Sequence, residues 1–147
     1  MNKRFLMLPV IAALALSLGA CGEKSYADGT YSGRSADYVN EEEGEEAGNG
    51  YGVVELTISG GNITACTYQT FELDGTLKDE DYGKENGEIK NKDFYNKAQK
   101  ARAACDNYAQ QLVAKQNVKD VDAISGATVN YGEFKEAVSE ALKQAEQ

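Results

Sequence analysis

The residues best equipped for chemistry lie together near the C-terminus, in Asp122-Ala123-Ile124-Ser125-Gly126-Ala127-Thr128. Ser125, Gly126 and Ala127 are small, so the backbone there can lie against a bulky group, and Gly126 can take a positive φ without steric cost. A helix is predicted to begin directly afterwards. Asn130 reads as its N-cap and Glu133, three residues on, as the partner of a capping box. Phe134, Val138, Ala141, Leu142 and Ala145 recur at spacings of three and four and give that helix one apolar stripe. A small-residue loop entering a helix turns unpaired N–H groups outward, and together with the helix dipole these suit a phosphate. The Thr128 hydroxyl stands two residues before the expected cap, so a phosphoester on its oxygen would lie beside those donors.

Little else in the chain competes as a reactive centre. The sequence has no histidine, so the usual general base near neutral pH is missing, and no nucleophile–base pair stands out. The chain reads as the substrate of an enzyme more readily than as an enzyme. Of three cysteines, Cys66 and Cys105 are far apart in sequence. They could pair in an oxidising exterior or stand as two small buried hydrophobes, and the place of Cys105 on an apolar helical stripe favours burial. Two lone thiols without histidine do not make a zinc site. The acidic run within 40–50 lacks the alternating ligand spacing of a calcium loop and reads as a solvated loop.

The elements that must position the motif are few. Asp28-Gly29-Thr30-Tyr31-Ser32-Gly33 reads as an opening strand. Val53–Ser59 alternates, with Val54, Leu56 and Ile58 on one face, and Gly60-Gly61 supplies a tight turn into a returning strand over Ile63–Phe71. Asp74-Gly75 and the segment from Asp79 to Gly83 mark a polar loop. Asp93 or Asn91 caps a long helix whose stripe is Phe94, Ala98, Ala101, Cys105, Tyr108 and Leu112. Val118, Val121 and Ile124 suggest a short strand leading into the motif. The expected fold is α+β, an antiparallel hairpin or sheet packed with two main helices in a single small domain.

The N-terminus reads as an address. Lys3 and Arg4 precede an apolar run, Leu6 to Leu18, that falls short of the roughly 20 residues needed to span a bilayer. Leu18-Gly19-Ala20-Cys21 resembles a lipobox. That resemblance implies a signal peptide over 1–20, a diacylglyceryl thioether on Cys21 that anchors the chain to the membrane, a short tether over 21–27 and a domain over 28–147. Loss of Lys3 and Arg4 would leave 13 basic against 24 acidic residues, a net charge of −11 in place of −9. Such acidity excludes nucleic acid as a partner and leaves membrane attachment to the lipid.

The D-x-x-S-G-A-T pattern, with D-G-T-Y-x-G at Asp28–Gly33, resembles the FMN-binding domains found in the sodium-pumping NADH:quinone reductase, in the Rnf complex and in extracellular electron-transfer lipoproteins. Five fixed positions match by chance in on the order of 10⁻⁴ of chains this long. The E-T-P-G segment common in that family is absent. The resemblance implies FMN joined to Thr128 by a phosphoester. Asp122 would be read by a flavin transferase or its metal ion, Ser125, Gly126 and Ala127 would shape the loop, and the N–H groups near Thr128 would hold the phosphate. Tyr131, nearest in sequence, and then Tyr68 and Tyr82 are candidates for the wall of the flavin ring. The implied function is a membrane-anchored, extracytoplasmic electron carrier working between an unidentified redox donor and acceptor. The alternative is a lipoprotein binding or signalling module without covalent flavin, with Ala13 to Ala20 as a possible peptide-pheromone segment.

Overall fold

A computed structural model describes residues 24–42 and 48–147. The leader, Cys21 and the acidic residues 43–47 lie outside the described residues. Three antiparallel strands, β1 (Gly29–Arg34), β2 (Tyr51–Ser59) and β3 (Asn62–Phe71), pair in the order β1-β2-β3. Ser59 pairs with Asn62 across Gly60-Gly61, whose φ values of 60° and 77° are the two positive angles of a type I′ turn. Two helices, α1 (Lys92–Lys115) and α2 (Thr128–Ala145), cover one face of the sheet. α1 lies along β3, and α2 lies across β1 and β2. The fold is the expected α+β domain.

Strand alternation places the core. Val54, Leu56 and Ile58 point inward from β2 and meet Tyr108 and Leu112 of α1 and Phe134 and Val138 of α2, all buried. Asn91 caps α1, its Oδ1 accepting the Phe94 N–H at 3.0 Å, which settles the choice between Asn91 and Asp93. Ser25–Ala27, within the expected tether, runs beside the end of α2. The Ala27 N–H donates to the Ala145 carbonyl at 2.8 Å, and the Gln147 N–H donates to that of Ser25. Cys66 and Cys105 are free thiols, and burial pushes them up to about 12 and about 11, so both stay protonated.

Two local expectations are corrected. The short strand before the motif is instead a 3-10 turn, Val118–Asp120, followed by an extended segment that joins no sheet. Side chains of α1 do the work of a partner strand: Gln111 Oε1 accepts the Asp122 N–H at 2.8 Å, and Lys115 Nζ donates to the Asp120 carbonyl at 2.7 Å. The second correction is the start of the last helix. α2 begins at Thr128, with Ala127 at the N-cap. Asn130 lies inside it, turned inward, its amide donating to the Ala101 carbonyl (2.9 Å) and to Cys105 Sγ (3.4 Å). The turn that closes on Ala127 starts the helix early, which frees Asn130 to tie α2 to α1.

Gly33 marks the closest approach of sheet and helix. A Cβ there would come 1.9 Å from the Ala137 carbonyl oxygen and 2.5 Å from the Ala141 nitrogen, and neither backbone atom can withdraw without moving α2. Gly33→Ala should therefore cost about 3 kcal/mol or more. Gly132, in α2 with open space around its Cα, should gain up to about 1 kcal/mol when changed to Ala. Urea unfolding of the two variants checks both; equal, small effects would show that β1 and α2 do not pack this closely.

Candidate functional site

The motif loop is a tight turn locked from below. The Ala127 N–H donates to the Ile124 carbonyl at 3.0 Å. Gly126, at φ 81°, has the angle a type II turn takes at its third position. The buried Tyr108 hydroxyl accepts the Ile124 N–H (3.0 Å) and donates to the Ala127 carbonyl (3.2 Å). Both ends of Ser125-Gly126 thus hang on one phenol from α1. Tyr131 supports the same loop: its ring lies 5.5 Å from that of Tyr108, and its hydroxyl donates to the Val121 carbonyl at 2.8 Å.

Thr128 is the first residue of α2, and it is exposed. No side chain among the described residues caps this helix, and no acidic residue stands in its first turn. The N–H groups and positive dipole end beside Thr128 are therefore left for an anion. A hollow of about 320 Å³ opens there, lined by Gly126, Ala127 and Thr128 together with α1 and the loop after β3. That volume falls in the usual range for small-molecule sites, roughly 300–1,000 Å³. Tyr82 and Phe94 form an aromatic wall, rings 6.3 Å apart and edge to face. Gln99 fixes that wall by donating to the Asp79 and Tyr82 carbonyls at 3.0 and 2.9 Å. Lys78, Lys97 and Arg102 line the same hollow, and Lys100 Nζ lies 3.7 Å from the place of a Gly126 Cβ. An aromatic wall, a ring of cations and an uncapped helix start suit a planar aromatic group carrying a phosphate.

The structure brings Gly126, Ala127, Thr128 and Tyr82 to one hollow. Ser125 is exposed at the turn. Asp122 points to solvent, its Oδ2 held by Lys115 Nζ at 2.7 Å. Tyr131 lies beneath the loop, its ring tilted against that of Tyr108, and does not line the hollow. Tyr68 is buried below it, donating to the Asn130 carbonyl at 2.7 Å. Sequence reasoning missed Lys78, Phe94, Lys97 and Arg102. Phe94 was legible only as core, and nothing local marked Lys78, which reaches the site because its N–H donates to the Thr70 carbonyl at 2.9 Å and extends the edge of β3.

Glu133, expected to cap the helix, is instead buried and lines a second hollow on the far side of Thr128 and Val129. Among the described residues, neither carboxylate oxygen has a hydrogen-bond partner. Burial pushes its carboxyl up to about 7, against the opposing pull of Lys78. Burial lowers Lys78 in turn. A glutamate that ionises near 4.5 when unfolded and near 7 when folded leaves the folded state with more bound protons between those values, so stability falls as pH rises through that window. Glu133→Gln should match wild type below about pH 4.5 and be the more stable protein above pH 7, by about 3 kcal/mol. Denaturant titrations across this range test it; a difference independent of pH would contradict the buried, unpartnered carboxyl.

Comparison with known proteins agrees with this geometry. Residues 48–143 match the sequence profile of a family described as FMN-binding domain. A Clostridium perfringens protein of known crystal structure has a similar fold, with a TM-score of 0.57 and 23% identity over 82% of this chain and 88% of its own. A Clostridium thermocellum protein solved by NMR matches with a TM-score of 0.41 and 24% identity over 80% of this chain and 90% of its own. No curated protein matches. The profile covers most of the chain, both the hollow and the motif loop, and the chain belongs to the FMN-binding domain family.

Proposed function

We propose that this protein is a membrane-anchored, extracytoplasmic electron carrier with FMN joined to the Thr128 Oγ through a phosphoester. The observation that carries the reading is the position of Thr128: an exposed hydroxyl on the first residue of an uncapped helix, at the lip of a hollow with an aromatic wall and four cations at or near it. A transferase would supply the FMN from FAD. The Thr128 oxygen attacks the FMN-side phosphorus, the new O–P bond replaces the pyrophosphate bond, AMP leaves, and the hydroxyl proton passes to the transferase. Asp122, exposed and steadied by Lys115, is presented where such an enzyme could read it. Gly126, under Lys100, leaves room for the phosphate, and the N–H groups at the start of α2 receive it. Bound flavin would supply the redox chemistry; Tyr82 and Phe94 would hold its ring and exclude water.

Lipidation at Cys21 would keep this domain close to its membrane partners. Five peptide steps separate Cys21 from Tyr26, which pairs with Glu146 at the end of α2, and five steps reach at most about 18 Å.

Co-expression with a flavin transferase tests the proposal. Wild-type protein should keep flavin fluorescence through denaturation and gain the mass of one FMN less one water. Thr128→Ala should lose both while remaining folded. Wild-type protein that stays unmodified beside an active transferase would refute the covalent attachment.

A further inference from the structure

Lys78 and Glu133 are the two buried charged side chains among the described residues, 6% and 5% exposed. Both lie over the glycine end of the second strand. A Cβ on Gly50 would come 2.8 Å from Lys78 Nζ, and one on Gly52 would come 3.1 Å from Glu133 Cβ. Lys78 Nζ donates to the Gly48 carbonyl at 3.1 Å, while neither carboxylate oxygen of Glu133 has a hydrogen-bond partner among the described residues. A buried polar group left unsatisfied is costly, and its retention calls for a use. The two charges also face different ways. Lys78 lines the hollow beside Thr128, and Glu133 lines the second hollow on the other side. The residue therefore borders the second hollow, away from the one beside Thr128.

The groups that face Glu133 from its surroundings are Tyr68 on β3, Lys78 and Tyr82 on the loop that follows, Cys105 on α1 and Glu136 on its own helix. Asp37 and Tyr38, beyond β1, share its hollow. Burial holds Tyr68, Tyr82 and Cys105 protonated. The Tyr68 hydroxyl gives its hydrogen to the Asn130 carbonyl, and Glu136 accepts the Ala36 N–H at 3.1 Å. Asp37 is paired with Arg34 at 2.6 Å. Glu133 itself is enclosed, and burial brings its carboxyl to where it changes charge near neutral pH.

We propose that Glu133 is a redox-linked proton site, taking up a proton from solvent when negative charge enters the hollow beside Thr128 and releasing it when that charge leaves, with Lys78 carrying the electrostatic signal between them. This rests on the flavin reading above. Electrons pass from an external reductant to the flavin, and a proton from water adds to one carboxylate oxygen of Glu133. Glu133 makes or breaks no bond to the flavin. Negative charge in the hollow repels the Glu133 carboxylate and offsets the field of Lys78 there, so Glu133 gains proton affinity.

The test uses protein carrying FMN, titrated with dithionite from pH 6 to 9, with infrared difference spectra of the oxidised and reduced forms. Reduction of wild type near pH 7.5 should raise a protonated-carboxyl band that Glu133→Gln lacks. One extra proton per two electrons means a tenfold change in equilibrium constant per pH unit, so above about pH 7, where oxidised wild type has lost that proton, the midpoint potential should fall about 30 mV per unit more steeply in wild type than in the variant, and below it the two slopes should converge. Lys78→Met should lower the potential throughout and weaken the band. Equal slopes with no carboxyl band would overturn the proposal while leaving the flavin reading intact. Should Glu133→Gln fail to fold, the wild-type infrared spectrum decides alone, its silence refuting the site. Failure of the chain to take up FMN at all would remove both readings together.

Discussion

The hydroxyl of Tyr108 is the interaction on which the site depends. It is fully buried, and it uses both of its hydrogen-bonding capacities on the motif loop, one at Ile124 and one at Ala127. The ring below it stacks on Phe134 of α2 at 5.6 Å and lies beside Tyr131. One side chain of α1 therefore fixes the turn, the start of α2 and the packing of α2 against the sheet. A loop with three small residues has little shape of its own, because small side chains make few contacts and leave the backbone much freedom. Here that freedom is removed from outside, by a phenol anchored in the core, and the loop can stay small enough to admit a ligand while still being rigid.

A second constraint follows from the strand next door. The inner face of β2 carries Ile58, Leu56 and Val54 in turn and then gives way to Gly52, with Gly50 just before the strand. At the aliphatic end the sheet meets the helices through a dry core. At the glycine end it offers no side chains, and Tyr68, Lys78 and Glu133 fill the space. The polar chamber lies under the start of α2 because that is where the strand runs out of apolar residues. The same glycines explain how two charged groups come to be buried: they occupy volume that a strand of ordinary composition would have filled with its own side chains.

Much of this was legible in the sequence, and the limits have physical causes. Periodicity found the hairpin, both helices and the apolar stripes, since burial of one face writes a repeat of two or of three to four into the chain. The motif loop was legible because its residue types are unusual. Asn130 and Glu133 were misread because an Asn followed by a Glu three residues on is the signature of a helix start, and the signature does not say whether the turn before it has already started the helix. Lys78 lay hidden in a polar loop because its place is decided by backbone pairing with β3, which leaves no trace in local composition. The aromatic wall was sought first at Tyr131, then at Tyr68 and Tyr82; of these Tyr82 lines the hollow, 46 residues before Thr128, and its partner Phe94, 34 residues before, was not among the candidates.

The electrostatics of the site run against those of the whole chain. The sequence carries a net charge of −9, which on its own would repel an anionic ligand. Screening at physiological ionic strength acts over about 8 Å, so charges farther away than that count for little at the hollow. Within it stand Lys78, Lys97 and Arg102, with Lys100 over the loop and the uncapped end of α2 adding partial positive charge. An island of positive charge on a chain of net negative charge does more than bind a phosphate: it also directs an approaching anion toward the hollow. Because Lys78 is buried and not shared with solvent, its contribution is the least screened of the four. The island therefore has two parts: an exposed rim that salt can weaken, and an inner charge whose effect is set by its buried neighbour, Glu133.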